Sequence, residues 1–259
     1  MIRLFHVSDV HFGAEDPEAI AWFDRAVKAE QPDAIIMTGD LTMRARSREF
    51  EQASAWLEGL QRPTTVEVGN HDLPYFNPLA RFLMPYRRYK KLAQVIEQPL
   101  DIRGLTVVPL KTTARFQMRL NWSKGYVGKR ALQTSLSLLD AVPNGDLVFV
   151  AAHHPLIEAG TRSTGKTRYG RKALEALAAA GADAVLSGHV HDPFDVEEVV
   201  NGRSIRLVGA GTLSVRTRDN PPSFNEIRIQ DGKFETIVRR LGEPDYRVTD
   251  AKVADEPVA

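Results

Sequence analysis

Five short polar segments punctuate this chain just beyond runs of apolar residues: Asp9-Val10-His11, Gly39-Asp40, Gly69-Asn70-His71-Asp72, His153-His154-Pro155 and Gly188-His189-Val190-His191. Four of them follow strand-like sequence at 2–7, 34–37, 147–152 and 184–186, and the run before Gly69, 64–68, is shorter and more mixed. Loops at the strand ends of an open α/β sheet converge on one crevice. Carboxylate, amide oxygen and neutral imidazole are the donors that hard and borderline divalent metals accept. The chain is therefore constrained to a fold in which several strand ends meet.

The rhythm between these segments points to the same class. A strand at 2–8 precedes a helix at 17–30, with Asp16 as its N-cap and Pro17 in its first turn. A strand at 34–37, a helix at 47–60 and a strand at 64–68 follow, and Phe50, Ala53, Leu57 and Leu60 recur at helical spacing. This βαβαβ order predicts a mainly parallel sheet with right-handed crossovers. From Leu73 to about Gly128 the rhythm breaks at Pro74, Pro78 and Pro85, with one short strand at 105–110. Helices at 131–142 and 171–180 and strands at 148–152 and 184–186 resume it. After His191 come four strands, 194–200, 205–209, 223–229 and 234–239, with Asn201-Gly202 and Asp231-Gly232 as hairpin turns. Those hairpins predict an antiparallel or mixed second sheet. One domain is expected over 1–242, with 73–130 as a cap-like excursion inside it and 243–259 as a patternless tail.

A hydrophobic content of 43% and a charged content of 26% suit a soluble globular chain. No apolar run approaches the roughly 20 residues of a membrane-spanning helix. Met1-Ile2-Arg3 leads directly into the first strand, leaving no room for a signal peptide, so a cytoplasmic location is expected. The absence of cysteine excludes disulfides and thiolate ligands. The net charge of +1 hides an asymmetry: residues 73–130 hold twelve Lys and Arg against Glu97 and Asp101, giving +10, so the remainder sums to −9. Aromatic residues interleave with these charges. The segment reads as a nucleic-acid face, as an interfacial helix on anionic lipid, or as a helical excursion packed on the sheet with its charges in water. The last reading is the simplest, and nucleic acid is not an expected partner.

Taken in order, the five segments resemble the calcineurin-like metallophosphoesterase superfamily over about residues 2–213. The resemblance implies a four-layer α/β/β/α sandwich of two mixed sheets, the metallophosphatase fold. It implies two divalent metal ions, drawn from Mn, Fe, Zn or Co, bridged by Asp40. Asp9, His11 and His191 would complete one site; Asn70, His153 and His189 would complete the other. Asp9 and His11, two residues apart in strand-like sequence, would reach one ion because alternate side chains share a side. The family pattern selects His153 over His154, which is left as a candidate substrate contact beside Arg44, Arg115 and Asn121. His71 matches the catalytic histidine that assists the leaving group, and Asp72 would orient its loop. Arg119, Trp122 and residues 161–171 would border the site. His6 reads as a satisfied core histidine, and Gly39, Gly69 and Gly188 as tight-turn residues.

The implied activity is hydrolysis of a phosphate ester through a metal-activated hydroxide. The motifs resemble the branch of cyclic-nucleotide and glycerophosphodiester phosphodiesterases. A branch that cleaves a lipid A precursor typically carries Arg in place of His71, and relatives acting on nucleic-acid ends usually carry a large extra domain. A small-molecule phosphodiester is therefore the expected substrate. A monoesterase or pyrophosphatase of the same fold, or a scaffold that keeps the metal cage without turnover, are the alternatives.

Overall fold

The computed structural model describes residues 1–248 except 76, 98–99, 118–120, 162–165 and 219. Arg119, Arg162 and most of the expected tail, 249–259, lie outside the described residues.

Strand β1 (Ile2–Val7) leads through α1 (Pro17–Glu30) to β2 (Ala34–Met37), and through α2 (Ser47–Leu60) to β3 (Thr64–Val66). Asp16 caps α1 by accepting hydrogen bonds from the backbone N–H groups of Glu18 and Ala19. The basic excursion is helical, with two helices whose bounds the prolines obscure in the sequence, α3 (Pro78–Leu83) and α4 (Arg87–Ile96). Pro78 opens α3 rather than breaking it, because the first turn of a helix needs no proline N–H. Then come β4 (Leu105–Leu110), α5 (Lys129–Leu139), β5 (Leu147–Ala152), α6 (Gly170–Ala179) and β6 (Ala184–Ser187). The chain closes with β7 (Phe194–Val200), β8 (Arg203–Gly209), β9 (Ser223–Gln230), β10 (Lys233–Arg240) and β11 (Tyr246–Arg247).

These strands make two mixed sheets. One has six strands in the order β11-β10-β9-β1-β2-β3 and the other five in the order β4-β5-β6-β8-β7. The two C-terminal hairpins do not share the second sheet: β7 and β8 add to β6, whereas β9 crosses back to pair antiparallel with β1. The first sheet also continues past residue 242, because Tyr246–Arg247 pairs with β10.

Three buried clusters correspond to the three interfaces of a four-layer sandwich. Phe5, Val7, Ile35 and Met37 turn toward α1 and α2, while Leu4, Ala34 and Ile36 turn the other way to meet Phe149, Ala151, Ala184 and Leu186 of the second sheet. Val148, Val150 and Val185 face Leu174 and Leu177 of α6. Strand alternation thus divides consecutive apolar residues between two cores, which explains why these strands lack a polar face. His6 sits between the sheets, its ring nitrogens meeting Thr38 Oγ1 at 3.0 Å and Asn225 Nδ2 at 3.3 Å. It is a satisfied core histidine.

Phe224 of β9 knits the first outer layer, with ring centroids 4.8 Å from Phe5, 4.9 Å from Phe23 and 5.0 Å from Trp22. Removing so large a fully buried ring loses its transfer energy and leaves a cavity. Phe224→Ala is expected to lower the unfolding free energy by about 3–5 kcal/mol, read from the midpoint of a urea titration.

Candidate metal centre

The polar segments lie at one end of both sheets, just past β1, β2, β3, β5 and β6. Their backbone is not strand-like. Asp9, His11, Asp40, His189 and His191 all adopt positive φ, between 52° and 70°. They are five of eleven such non-glycine residues among those described, so this disfavoured conformation is concentrated here. Holding an L-residue left-handed costs on the order of 1–3 kcal/mol and persists only where the surroundings enforce it. The strand-alternation argument for Asp9 and His11 therefore does not hold: two left-handed turns aim both side chains inward.

The glycines serve close approach as much as turning. Gly39 has φ +95° and needs its freedom, but Gly69 and Gly188 have no positive φ. A Cβ at Gly69 would overlap the Asp40 carboxylate, and one at Gly188 would overlap Ser8 and Asp9. Asp72 clamps the loops after β2 and β3 together. Its Oδ1 accepts from Thr42 N and Oγ1 at 2.9 and 3.0 Å, and its Oδ2 accepts from Gly69 N and Leu41 N at 2.9 and 3.3 Å. Burial, then the charge of Asp40, pushes the Asp72 carboxyl up to about 7 in spite of these bonds.

Asp9, His11 and His153 are fully buried, Asp40 is 1% exposed and His191 4% exposed. Backbone carbonyls orient three imidazoles. Nδ1 of His153, His191 and His71 donates to the carbonyl oxygens of Thr38, Arg216 and Met43 respectively, each at 2.7 Å. A carbonyl can only accept, so the proton of each neutral ring sits on Nδ1 and the Nε2 lone pair faces the site. There His153 Nε2 lies 3.2 Å from Asn70 Oδ1 and 3.3 Å from Asp40 Oδ2. His11 Nε2 and His191 Nε2 stand 3.2 Å apart. Asp9 Oδ1 is 3.0 Å from His191 Nε2 and 3.6 Å from His11 Nε2, yet it receives no hydrogen bond, and His11 Nδ1 is likewise buried without a partner.

Acceptors facing acceptors at such distances repel unless a cation lies among them. Two imidazole nitrogens bound at about 2.0–2.1 Å to one ion stand about 3 Å apart, so the His11–His191 spacing suits a shared ion. Donor atoms of Asp9, His11 and His191, and of Asp9, Asp40 and His153, lie within 4.8 Å of one another and could each hold a metal. The donor set of nitrogen and oxygen without thiolate fits Mn, Fe, Co or Zn.

The charges agree. Burial opposes ionisation of Asp40, but His153 and His71 outweigh it and hold the carboxyl well below the usual range. Burial likewise works against a charged His153, yet Asp40 and Asp9 raise it to about 9. Burial and then His153 push His189 down to about 3, so this ring is neutral and ready to donate a lone pair.

Beside the donors opens a cleft of about 890 Å³ lined by Asn70, His71, Arg44, Asn121, Phe82 and Trp122, among others. His71 stands at the boundary, its N–H bound to Asp40 Oδ1 at 2.7 Å. The other candidates are placed differently. His154 engages both ring nitrogens, with Thr112 Oγ1 and the Ser123 carbonyl, each at 2.8 Å, although a ring nitrogen also lies within 4.8 Å of donor atoms of His153 and His189. Arg115 lies outside the cleft lining and donates to the Phe82 carbonyl at 3.4 Å.

One side chain at the site escaped sequence reasoning. Arg216 Nη1 reaches 3.2 Å from His71 Nε2 and 3.3 Å from His11 Nε2. Its loop is tied to the first motif: Thr212 Oγ1 donates to the Asp9 carbonyl at 2.6 Å, and Val215 N donates to the Ala14 carbonyl at 3.1 Å. The strand-end rule, applied to β8 as it was to β5 and β6, would have flagged this loop.

The sequence profile described as calcineurin-like phosphoesterase matches residues 2–193. The glycerophosphodiester phosphodiesterase GpdQ of Enterobacter lignolyticus (strain SCF1) is 32% identical over 92 residues, 29% of this chain and 33% of that protein. The match thus spans about a third of that relative's length. A dimetal phosphatase from Danio rerio superposes with a TM-score of 0.68 at 11% identity, covering 95% of this chain and 98% of the other. The purple acid phosphatase PPD1 from yellow lupin (Lupinus luteus) seeds gives 0.64 at 14% identity, covering 92% of this chain and 51% of that one. At these identities the likeness shows a shared metallophosphatase fold. Profile, fold and donor cluster agree, and the chain belongs to the calcineurin-like phosphoesterase family.

Proposed function

We propose that this protein is a metal-dependent phosphodiesterase acting on a small-molecule phosphodiester. The observation that carries the reading is the set of overlapping donor groups Asp9–His11–His191, Asp9–Asp40–His153 and His11–Asp40–His71, which places Asp9 and Asp40 together among buried imidazoles, with His71 also lining the neighbouring cleft. Asp9, His11 and His191 would hold one divalent ion with Asp40, and Asn70, His153 and His189 the other. When bound, such a pair of ions lowers the pKa of water and offsets charge on phosphoryl oxygens.

The chain's own residues supply the rest. With Nδ1–H held by the Met43 carbonyl, His71 presents Nε2 to the cleft; in its doubly protonated form it can deliver the Nε2 proton to the departing oxygen and return to the neutral ring. Asp40 accepts from the His71 N–H and so fixes this loop against the donors. Arg216 adds a guanidinium to a site meant for cations, an arrangement that calls for an anion beside it. A phosphoryl oxygen is such an anion, and charge-assisted bonds from Arg to phosphate are short and strong. The local match to a glycerophosphodiester phosphodiesterase supports a diester over a monoester or pyrophosphate.

The central test is hydrolysis of bis(p-nitrophenyl) phosphate by Mn²⁺-loaded protein. Asp40→Ala is expected to lose bound metal in elemental analysis and turnover with it. His71→Ala is expected to keep its metal and lose on the order of 10²–10⁴-fold in kcat/KM with an alkyl leaving group, and less with nitrophenolate, which departs without a proton. Metal uptake with no turnover of any phosphodiester would reduce the chain to a scaffold. For Arg216→Ala, calorimetry on metal-loaded protein should show inorganic phosphate binding weakened on the order of 10–100-fold, the loss of a bond to a charged group.

The pH dependence follows from His153. Its pKa is raised from the ordinary 6.5 to about 9 in the folded metal-free protein. The stability it contributes is present in full below pH 6.5 and is lost as pH rises to about 9. Metal must displace that proton, so metal affinity rises through the same window. The melting temperature of chelator-treated protein should fall between these pH values while the metal-induced increase in melting temperature grows.

A further inference from the structure

Helix α3 is built inside out. Its one buried residue is Arg81, which donates from Nε to the Arg115 carbonyl at 3.0 Å and from Nη2 to the Ala114 carbonyl at 3.2 Å. Leu79, Phe82 and Leu83 face outward instead, with exposures of 70%, 42% and 66%. Met84, which follows α3, is also half exposed; Tyr75 and Phe116, both at least half exposed, adjoin Phe82, the first in a shared cleft and the second with its ring 6.1 Å away. A surface helix of a soluble domain normally turns its apolar stripe inward. A reversed stripe gathered into one exposed patch marks a surface that something apolar completes.

The charge around the patch identifies what that is. Arg87, Arg88, Lys90 and Lys91 are exposed on α4, and Arg87, Arg88 and Lys91 share a cleft of about 500 Å³ with Met84. Lys111 adds to the basic ring, its ammonium 4.6 Å from the Tyr86 ring centroid and close enough to Lys90, Arg115 and Arg130 that their charges, after burial, lower its pKa. Apolar residues ringed by Lys and Arg suit the headgroup boundary of an anionic bilayer, where the first enter the acyl region and the second meet phosphate.

We propose that the α3 face docks on an anionic phospholipid surface. The contact is peripheral, since no described helix is long and apolar enough to cross a membrane. Tyr75 and Phe82 also line the cleft beside His71, so docking turns that cleft toward the headgroups. If the phosphodiesterase reading holds, on which this step rests, phosphodiesters displayed at that surface are the substrate class within reach.

The test is co-flotation of the full metal-loaded chain with vesicles of phosphatidylcholine alone or mixed with phosphatidylglycerol. Wild type is expected to float with the mixed vesicles, less so at high salt, and not with phosphatidylcholine alone. Leu79→Ser with Leu83→Ser should abolish flotation. Lys90→Gln with Lys91→Gln should lower the partition coefficient about 25-fold, at about 1 kcal/mol for each charge near such a surface. Both double variants should keep wild-type metal content, melting temperature and hydrolysis of soluble bis(p-nitrophenyl) phosphate. The proposal is overturned if wild type ignores anionic vesicles or if the leucine variant floats equally well. It is also overturned if ultracentrifugation finds a wild-type dimer that the leucine variant dissociates, which would make the patch a contact between copies. Flotation is read without turnover, so its failure is distinguishable from failure of the phosphodiesterase reading.

Discussion

Two buried carboxylates, Asp9 and Asp40, tie the ends of the two sheets together, and the rest of the site depends on them. Asp9 follows β1 of the first sheet, yet its Oδ2 accepts from the His189 N–H, which follows β6 of the second, at 2.7 Å. Asp40 follows β2, accepts from the His71 N–H beyond β3, and faces His153 beyond β5. A buried carboxylate is costly without partners, and the His189 N–H for Asp9 and the His153 imidazole for Asp40 are supplied only when the second sheet is stacked on the first. Sandwich packing and site assembly are therefore one event.

The price is local strain. Left-handed backbone at five donor positions and acceptor atoms crowded to about 3 Å both work against folding. Asp72, the Thr38, Met43 and Arg216 carbonyls, and the close approach of Gly69 and Gly188 to the motifs hold this arrangement in place. A pocket organised in this way does not need to rearrange when ions arrive, since the lone pairs already point inward. The three large apolar clusters supply the stability that such a site lacks.

The basic excursion follows a different logic from the sandwich. α4 turns Leu92, Ala93 and Ile96 inward and leaves its cations in water, as an ordinary amphipathic helix does. α3 does the reverse, burying Arg81 against carbonyl oxygens and stacking it 5.6 Å from the Trp122 ring centroid. A guanidinium satisfied in this way tolerates burial, which frees the apolar side chains of the helix for the surface.

Much of the architecture was legible because the strands of the sandwich are short, apolar and separated by capped helices; α1, β2, α2, β4 and β7 fall where periodicity and turn residues put them. The donor residues were legible for a related reason: polar ligands at strand ends have few other uses, and their order is distinctive. Local rules failed where the decisive partner is remote. Nothing near Ser223 says that β9 crosses back to β1 rather than joining β8, because both sheets offer an open edge and only packing of Phe224 against Phe5 and Phe23 distinguishes them. Nothing near His154 says that Thr112 and Ser123 engage its nitrogens, and nothing near Arg216 says that its guanidinium meets His71. By itself, then, the sequence determined which residues carry metal-donor atoms beyond strand ends and most of the strands and helices, α3, α4 and β11 apart, since those depend on side-chain chemistry and on period. Tertiary structure alone decided sheet membership, the left-handed turns that aim Asp9 and His11, and the outward face of α3, because each is set by contacts between residues far apart in the chain.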